Sequence, residues 1–342
     1  MRLIIDKLAE TKTLSHVELK AVLTCDDEYL FEKARTIREQ VYGRQMFMRG
    51  LIEFSSYCKN NCYYCGLRCD NTSIERYRLN KNQILECCET GYHLGFRTFV
   101  LQGGEDNFYS DDILIDIIQE IKAKYSDCAI TLSIGERTCE SYQRLFDAGA
   151  DRYLLRHETA NDTHYGKLHP PDMALVNRKK CLYSLKEIGY QVGCGFMVGT
   201  PYQTIDHIVD DLLFIKKLDP EMVGVGPFLP HSSTPFANKE PGNLKLTLNI
   251  LAILRLMKPN LLIPATTALA TLKEDGRVLG ILAGANVVMP NLSPIDVRKK
   301  YQLYDNKTSS GDEAAEYVSQ IRKRLKSIGY DIVISRGDYV AI

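Results

Sequence analysis

Eight short apolar runs, spaced by amphipathic helical stretches and closing on polar or glycine-rich ends, predict an α/β fold. The number of units specifies it as a (β/α)8 TIM barrel with an N-terminal helical extension. The runs are Leu51–Tyr57, Thr98–Gly103, Ala129–Gly135, Arg152–Thr159, Gln191–Gly199, Met222–Phe228, Leu261–Thr267 and Asn286–Pro290. Their near-continuous apolar character implies parallel strands covered on both faces. Helical patterns fill the gaps at Asp112–Tyr125, Cys139–Ala148, Ala174–Ile188, Ile205–Lys217 and Leu246–Leu256. An open doubly wound sheet usually has fewer strands. The 342 residues suit a barrel of roughly 250 residues plus an extension.

Residues 1–49 are charged and place Leu19, Val22, Leu23, Leu30 and Ala34 at helical spacing, so they form the expected extension. Residues 50–342 are then the barrel with a helical and strand tail. No Pro- or Gly-rich linker separates the two.

Forty-five per cent hydrophobic and 25 % charged residues describe a folded globular chain rather than a disordered one. Lys plus Arg and Asp plus Glu are both 43, so there is no global charge to attract nucleic acid or an anionic membrane. Residues Met1–Lys7 lack the apolar core of a signal peptide, and no window approaches ~20 uninterrupted apolar residues. A cytoplasmic chain with reduced thiols is the expectation. Its 11 cysteines are an odd number, which argues against a disulfide framework and for metal or catalysis.

Barrel active sites lie at the carboxyl ends of the strands. The first such end carries Cys58-x3-Cys62-x2-Cys65. Three thiolates on one loop reach three corners of an iron-sulfur cube. Soft thiolates suit iron-sulfur clusters and zinc alike, but a closed zinc site takes four ligands and no second pair stands at zinc-finger spacing. Three ligands leave one iron open to substrate. Cys69 offers a fourth, which would close the cube into an electron carrier. A carrier needs no barrel with a polar rim. Cys87, Cys88, Cys128, Cys139, Cys181 and Cys194 read as small buried hydrophobes.

The second end, Gln102-Gly103-Gly104-Glu105-Asp106, places a carboxylate beside glycines that permit close backbone approach. Glu105 can accept hydrogen bonds from an ammonium group. The fourth end, Arg156-His157-Glu158-Thr159, with Arg178 on the following helix, can pair a carboxylate and ribose hydroxyls, or can form a rim ion pair. His157 reads as a hydrogen-bonded wall residue, and His231 either lines the cavity or caps it. Thr266 and Thr267 offer hydroxyls, while Tyr301 and Tyr304 offer aromatic walls. Ser-His-Asp, Gly-x-Ser-x-Gly and Walker patterns are absent, so hydrolysis is disfavoured.

The three-cysteine loop, with Tyr64 before its last cysteine, resembles the signature of the radical S-adenosylmethionine superfamily. Phe54–Arg68 together resembles the cluster loop of HydE-type FeFe-hydrogenase maturases. So do Leu101–Asp106, Tyr153–Ala160, Gly226–His231, Ile263–Ala268, Ala285–Asn291 and Tyr301–Tyr304.

The resemblance implies one 4Fe-4S cluster on Cys58, Cys62 and Cys65, and S-adenosylmethionine as cofactor. Tyr64, Gly104, Glu105, Ser133, Glu158, Arg178 and Met197 would face S-adenosylmethionine. Gln102, Thr131, Arg156, Thr266, Thr267, Tyr301 and Tyr304 would face the substrate, a small-molecule or organometallic iron complex. Other hydrogenase maturases and an electron donor are the implied partners, in assembly of the dithiomethylamine-bridged hydrogenase cluster. Some family members place three further cysteines after the Tyr-x-x-Tyr segment and bind an auxiliary cluster. Residues 305–342 contain none, so that cluster is expected to be missing. Tyr202 stands where the loop after Pro201 often has Gly.

Methylornithine synthases also resemble the chain, with weaker matches in the Arg-His-Glu-Thr and Ile-Pro-Ala-Thr-Thr segments. Biotin synthases share the barrel, but the positions of their sulfur-giving cluster fall here at Leu101, Thr131, Gly193 and Ala265–Thr267. A non-enzymatic iron-sulfur scaffold or carrier is the alternative from another class.

Overall fold

The computed structural model describes residues 1–307 and 315–341. Three helices come first: α1 (Arg2–Thr11), α2 (His16–Leu23) and α3 (Tyr29–Tyr42). The barrel then runs β1 (Gln45–Met48), β2 (Gly50–Ser55), α4 (Lys81–His93), β3 (Thr98–Gly103), α5 (Asp111–Lys124), β4 (Ala129–Ser133) and α6 (Cys139–Asp147). It continues through β5 (Arg152–Leu154), α7 (Asp162–Leu168), α8 (Leu175–Ile188), β6 (Gln191–Cys194), β7 (Met197–Val198), α9 (Ile205–Leu218), β8 (Met222–Val223) and β9 (Gly226–Pro227). It ends with α10 (Leu244–Met257), α11 (Thr267–Leu272), α12 (Gly276–Leu282), β10 (Val287–Val288), α13 (Ile295–Arg298), α14 (Val318–Ser327) and β11 (Asp331–Val333).

Strands β2, β3, β4, β5, β6 and β8 pair in that order, all parallel. Single bridges from Met222 to Leu262 and from Pro264 to Val287 carry the ring onward. It closes through β10 against β1, which only Arg49 separates from β2. The barrel expected from the apolar rhythm is therefore present, with three departures. The seventh run, Leu261–Thr267, forms bridges rather than a ladder, because Pro264 has no N–H to donate. The first strand begins at Gln45, inside the stretch read as helical extension. Gly43 ends α3, and the apolar Met46, Phe47 and Met48 are then buried against β10 and β11.

The third departure is that the fifth and sixth apolar runs are cut near their carboxyl ends. A Cβ on Gly195 would lie 2.1 Å from the Gly224 carbonyl oxygen, so the two chains touch through bare backbone there. Beyond that point β7 and β9 pair as a separate two-stranded ribbon. These interruptions open the rim to a cavity.

The tail seals the opposite mouth. β11 pairs with β1, and the residues after it cross beneath the strands' amino ends. Arg152, wholly buried at the start of β5, donates to Asp338 Oδ1 at 2.6 Å, to the Arg336 carbonyl at 2.9 Å and to Thr98 Oγ1 at 3.0 Å. Part of the cysteine-free tail, residues 308–314 and 342, lies outside the described residues. Among those described, no helix is long and apolar enough to cross a membrane.

Arg152→Met would leave the Asp338 carboxylate, the Thr98 hydroxyl and a buried carbonyl without this donor. Asp338 is partly exposed, so the loss is smaller than for a fully buried pair. The expected destabilisation is about 2 kcal/mol, read as a lowered urea midpoint. An unchanged midpoint would show that the tail does not brace the barrel floor.

Candidate active site

Between β2 and α4 the chain makes a long excursion without helix, and hydrogen bonds fix its shape. Arg76 is the centre. Its guanidinium donates to the carbonyls of Ser56, of Leu67 at 2.9 Å, of Arg68 at 2.7 Å and of Asn71 at 3.0 Å. Asn71 Nδ2 adds a bond to the Gly66 carbonyl at 2.7 Å. Cys69 N donates to the Asn60 carbonyl at 2.9 Å, and Tyr63 N to that of Leu168 at 3.0 Å. At the loop's start Asp106 takes a bidentate pair from Arg78, at 2.7 and 2.9 Å, and a 2.6 Å bond from Ser55 Oγ.

Cys58, Cys62 and Cys65 line one cavity of about 340 Å³ at the barrel's carboxyl mouth. Gly104 allows the end of β3 to abut their loop: a Cβ there would lie 2.2 Å from the Tyr57 carbonyl oxygen and 2.7 Å from Cys58 Cβ. The close approach that the Gly-Gly pair permits is thus to the cysteine loop itself. Burial pushes the Cys58 and Cys62 thiols up and that of Cys65 to about 12, and the Cys65 thiolate is further opposed by that of Cys58. Such thiols ionise when a cationic centre binds them, which is the donor chemistry of an iron-sulfur cluster. Among the described residues no three His, Cys, Asp or Glu converge on one point as a single ion would need.

Beside the thiols lies a compact group of charges. Glu105 Oε1 accepts the Glu136 N–H at 3.0 Å, with Lys59 Nζ 3.5 Å from its Oε2 and Arg178 Nη2 3.7 Å from Oε1. Arg178, projecting from α8, also places Nε 2.8 Å from Glu136 Oε1. Burial pushes the Glu136 carboxyl up against the pull of Arg178. Glu158 is held with φ at 64°, and its N–H donates to the Gly195 carbonyl at 3.0 Å. Its Oε2 is buried without a hydrogen-bond partner. Gly104, Ser133 and Met197 line the same space.

Tyr64 also lines it, and its hydroxyl lies 3.2 Å from His169 Nε2. His169 Nδ1 stands 3.0 Å from the Tyr165 carbonyl, so Nδ1 carries the proton and Nε2 accepts from Tyr64. Burial pulls the imidazole down to about 3, so it stays neutral at physiological pH.

On the substrate side, Arg156 Nη2 donates to the Phe196 carbonyl at 2.5 Å, with Nε 3.8 Å from Glu158 Oε1. Gln102, Thr266, Thr267, Tyr301 and Tyr304 line the cavity around it. Thr266 Oγ1 is buried without a partner, and Gln102 Nε2 donates to Tyr301 Oη at 3.4 Å. Thr131 departs from expectation. It sits one inward position below Ser133 on β4, buried, and is not among the cavity's lining residues.

Two further cavity residues escaped the sequence reading. Glu53, on β2 and fully buried, pairs with Lys307 and accepts from Asn291 Nδ2 at 2.8 Å. Their only signal was an acid within the apolar run Leu51-Ile52-Glu53-Phe54. His157 is the expected wall residue: Nδ1 accepts the Gly195 N–H at 3.3 Å, Nε2 faces Asp211 at 3.3 Å, and burial pulls it down to about 3. His231 braces rather than lines, accepting the Ser233 N–H at 3.0 Å. Cys139 is exposed, against its reading as buried, because it stands at the outer end of α6. Cys69 is exposed as well.

A barrel with three thiols on its first loop and paired charges around a largely apolar cavity beside them is the architecture of an iron-sulfur enzyme. The profile of the Radical SAM superfamily matches residues 52–215. The FeFe hydrogenase maturase subunit HydE of Thermotoga maritima is 45 % identical over 96 % of this chain and 94 % of its own length. The 3-methylornithine synthase of Methanosarcina acetivorans is 33 % identical over 95 % and 92 %. The crystal structure of methylornithine synthase (PylB) superposes with a TM-score of 0.84 at 30 % identity, covering 96 % of this chain and 97 % of the other. The chain therefore belongs to the radical SAM superfamily, and within it to the HydE type.

Replacing Arg76 by Leu removes four bonds from the cysteine loop without touching a thiol. Losing such outer support costs metal sites about 10- to 100-fold in affinity. Reconstituted Arg76→Leu should lose iron to a chelator at least about tenfold faster than the parent. Equal rates would mean that the loop holds its shape by other bonds.

Proposed function

We propose that this chain binds one 4Fe-4S cluster through Cys58, Cys62 and Cys65, cleaves S-adenosylmethionine reductively, and acts in assembly of the FeFe-hydrogenase active-site cluster. The observation that carries this reading is one cavity bounded by the three thiols, by Glu105, Glu158 and Arg178, and by Arg156 with Thr266 and Thr267. The identity to HydE over nearly the whole of both chains supports the biological role.

When bound, the cluster supplies the electron that splits the sulfonium and releases a 5′-deoxyadenosyl radical. The protein binds, orients and excludes water. Glu105 accepts the ammonium of S-adenosylmethionine, while Arg178 offsets that charge group and meets the carboxylate. The open Glu158 Oε2 accepts from ribose hydroxyls. Tyr64, Gly104, Ser133 and Met197 shape the walls. Deeper in the barrel, Arg156 takes a carboxylate of the substrate, with hydroxyls of Thr266 and Thr267 across from it. Gln102, Tyr301 and Tyr304 close that chamber, and Thr131 lies beneath it. The substrate is a small or organometallic iron complex, and another maturase and an electron donor are the partners.

Two experiments test the assignment. Anaerobic reconstitution should give about four irons per chain, abolished by Cys58→Ala, Cys62→Ala or Cys65→Ala and retained in Cys69→Ala. About eight irons, or loss with Cys69→Ala, would refute the single open cube. Arg156→Lys keeps the charge but loses the fork. It should retain cluster and S-adenosylmethionine affinity yet fail to mature a hydrogenase at limiting substrate. Parental maturation yield from that variant would remove Arg156 from the substrate site. Lost S-adenosylmethionine affinity would instead make it a brace for Glu158.

A further inference from the structure

Residues 200–203 form a turn in which Gln203 N donates to the Thr200 carbonyl at 3.0 Å and Tyr202 has φ of 68°. Pro at the second position and positive φ at the third are the pattern of a type II turn, whose third place favours Gly or Asn. A tyrosine there holds its backbone in a conformation that side chains with a Cβ disfavour. The turn is nonetheless rigidly made: Gln203 accepts the Gly199 N–H at 2.6 Å and donates to the Met197 carbonyl at 2.9 Å. What the strained position gains is a ring 58 % exposed, standing between two lysines. Lys167 Nζ and Lys239 Nζ lie 5.9 and 5.6 Å from its centroid. Both lysines are exposed, and neither pairs with a carboxylate among the described residues.

Behind this patch the rings continue inward. Tyr202 meets the buried Phe236 edge-on at 6.4 Å between centroids, and Phe236 meets Tyr63 at 6.2 Å. Tyr63 is the neighbour of Cys62 in the chain, and it packs with Phe236, Met197 and Leu168 in one apolar cluster. A packed path of three rings thus runs from an exposed aromatic flanked by two cations to Tyr63, the chain neighbour of Cys62.

We propose that Tyr202, Lys167 and Lys239 form the docking site for the electron donor, a small low-potential carrier protein with carboxylates around its redox centre. This inference rests on the proposed function, since it is reductive cleavage that needs an electron. The step is a transfer of one electron: the reduced carrier is oxidised by one unit, the 4Fe-4S cluster passes from its 2+ to its 1+ state, and no proton or group moves. Two uncompensated lysines select an acidic rim and speed encounter through charge. An exposed tyrosine held rigid is a contact residue with little freedom to lose. The ring path keeps the donor close to Cys62 without exposing the cavity.

The test uses the reconstituted enzyme and a flavodoxin as donor, with Lys167→Glu/Lys239→Glu and Tyr202→Ala as variants. Binding of the oxidised flavodoxin is read by calorimetry, and reduction of the cluster by the hydroquinone is followed in stopped flow. The charge-reversed variant should bind about tenfold or more weakly, lose most of its salt dependence and be reduced correspondingly slowly. Tyr202→Ala should weaken binding while leaving the salt dependence. With dithionite, both should yield 5′-deoxyadenosine at the parental rate. Parental flavodoxin affinity in both variants would overturn the proposal. So would equal slowing with dithionite, because the patch would then act on the cluster or cofactor site rather than on the donor. A parent enzyme that cleaves nothing with dithionite would sink the proposed function itself, and this inference with it.

Discussion

The Arg76 guanidinium, spread over four carbonyls, is the interaction on which the site depends. The chain between β2 and α4 has no ladder or helix of its own to hold three thiols in a fixed relation. A backbone of that kind carries many acceptors that would otherwise turn to water. Arg76 gathers those of Ser56, Leu67, Arg68 and Asn71 onto one planar cation. A guanidinium suits this because its donors diverge in a rigid plane and never lose their charge. The cysteines flank the knot and are positioned by it, while Gly104 lets the neighbouring strand press against their backbone.

The electrostatics beside the knot follow from the same economy of space. Glu105, Glu136 and Glu158 bring three carboxylates to one wall, and Arg178, Lys59 and Arg156 answer them with three cations. The result is a group of opposite charges standing within 4 Å of one another. The pairs are loose, at 3.5 to 3.8 Å for Lys59–Glu105, Arg178–Glu105 and Arg156–Glu158. Loose pairs can exchange a partner for a ligand at little cost. The Glu136–Arg178 contact, at 2.8 Å, is the tighter one and fixes the arginine in place.

How far the sequence foretold this depends on the range of the interaction. The strands and their order were legible because burial on both faces leaves a near-continuous apolar run, as in Thr98-Phe99-Val100-Leu101. The cysteine loop was legible because its three cysteines lie within eight residues and keep their spacing in any fold. Arg76 was not: an arginine in a loop looks solvated until the carbonyls around it are known. Gln45–Met48 was misplaced because three apolar residues after a helix have no period long enough to distinguish them. Thr131 was placed in the cavity by likeness of position, whereas the alternation along β4 sets it one layer below Ser133. Tyr202 was seen as a departure, and only its φ gives the departure a physical meaning.

Both mouths of the barrel are governed by the same carboxyl-terminal chain. Lys307 reaches back through the mouth to Glu53, and the segment before it is tied down on the rim. There Gly66 N donates to the Leu303 carbonyl at 2.9 Å and Asp305 N to that of Pro230 at 3.0 Å. Tyr301 and Tyr304 are thereby held as a wall over the chamber. At the far end, Arg336 and Asp338 meet Arg152 beneath the strands. A buried ion pair such as Glu53–Lys307 is a poor source of stability, because desolvating both charges offsets much of their attraction. Its value here is positional. Apolar side chains would pack the Tyr301 segment in several ways, whereas a carboxylate already committed to Asn291 leaves Lys307 one place to go. Among the described residues, the segment before residue 308 is thus fastened at the carboxyl mouth and the segment after β11 at the opposite one.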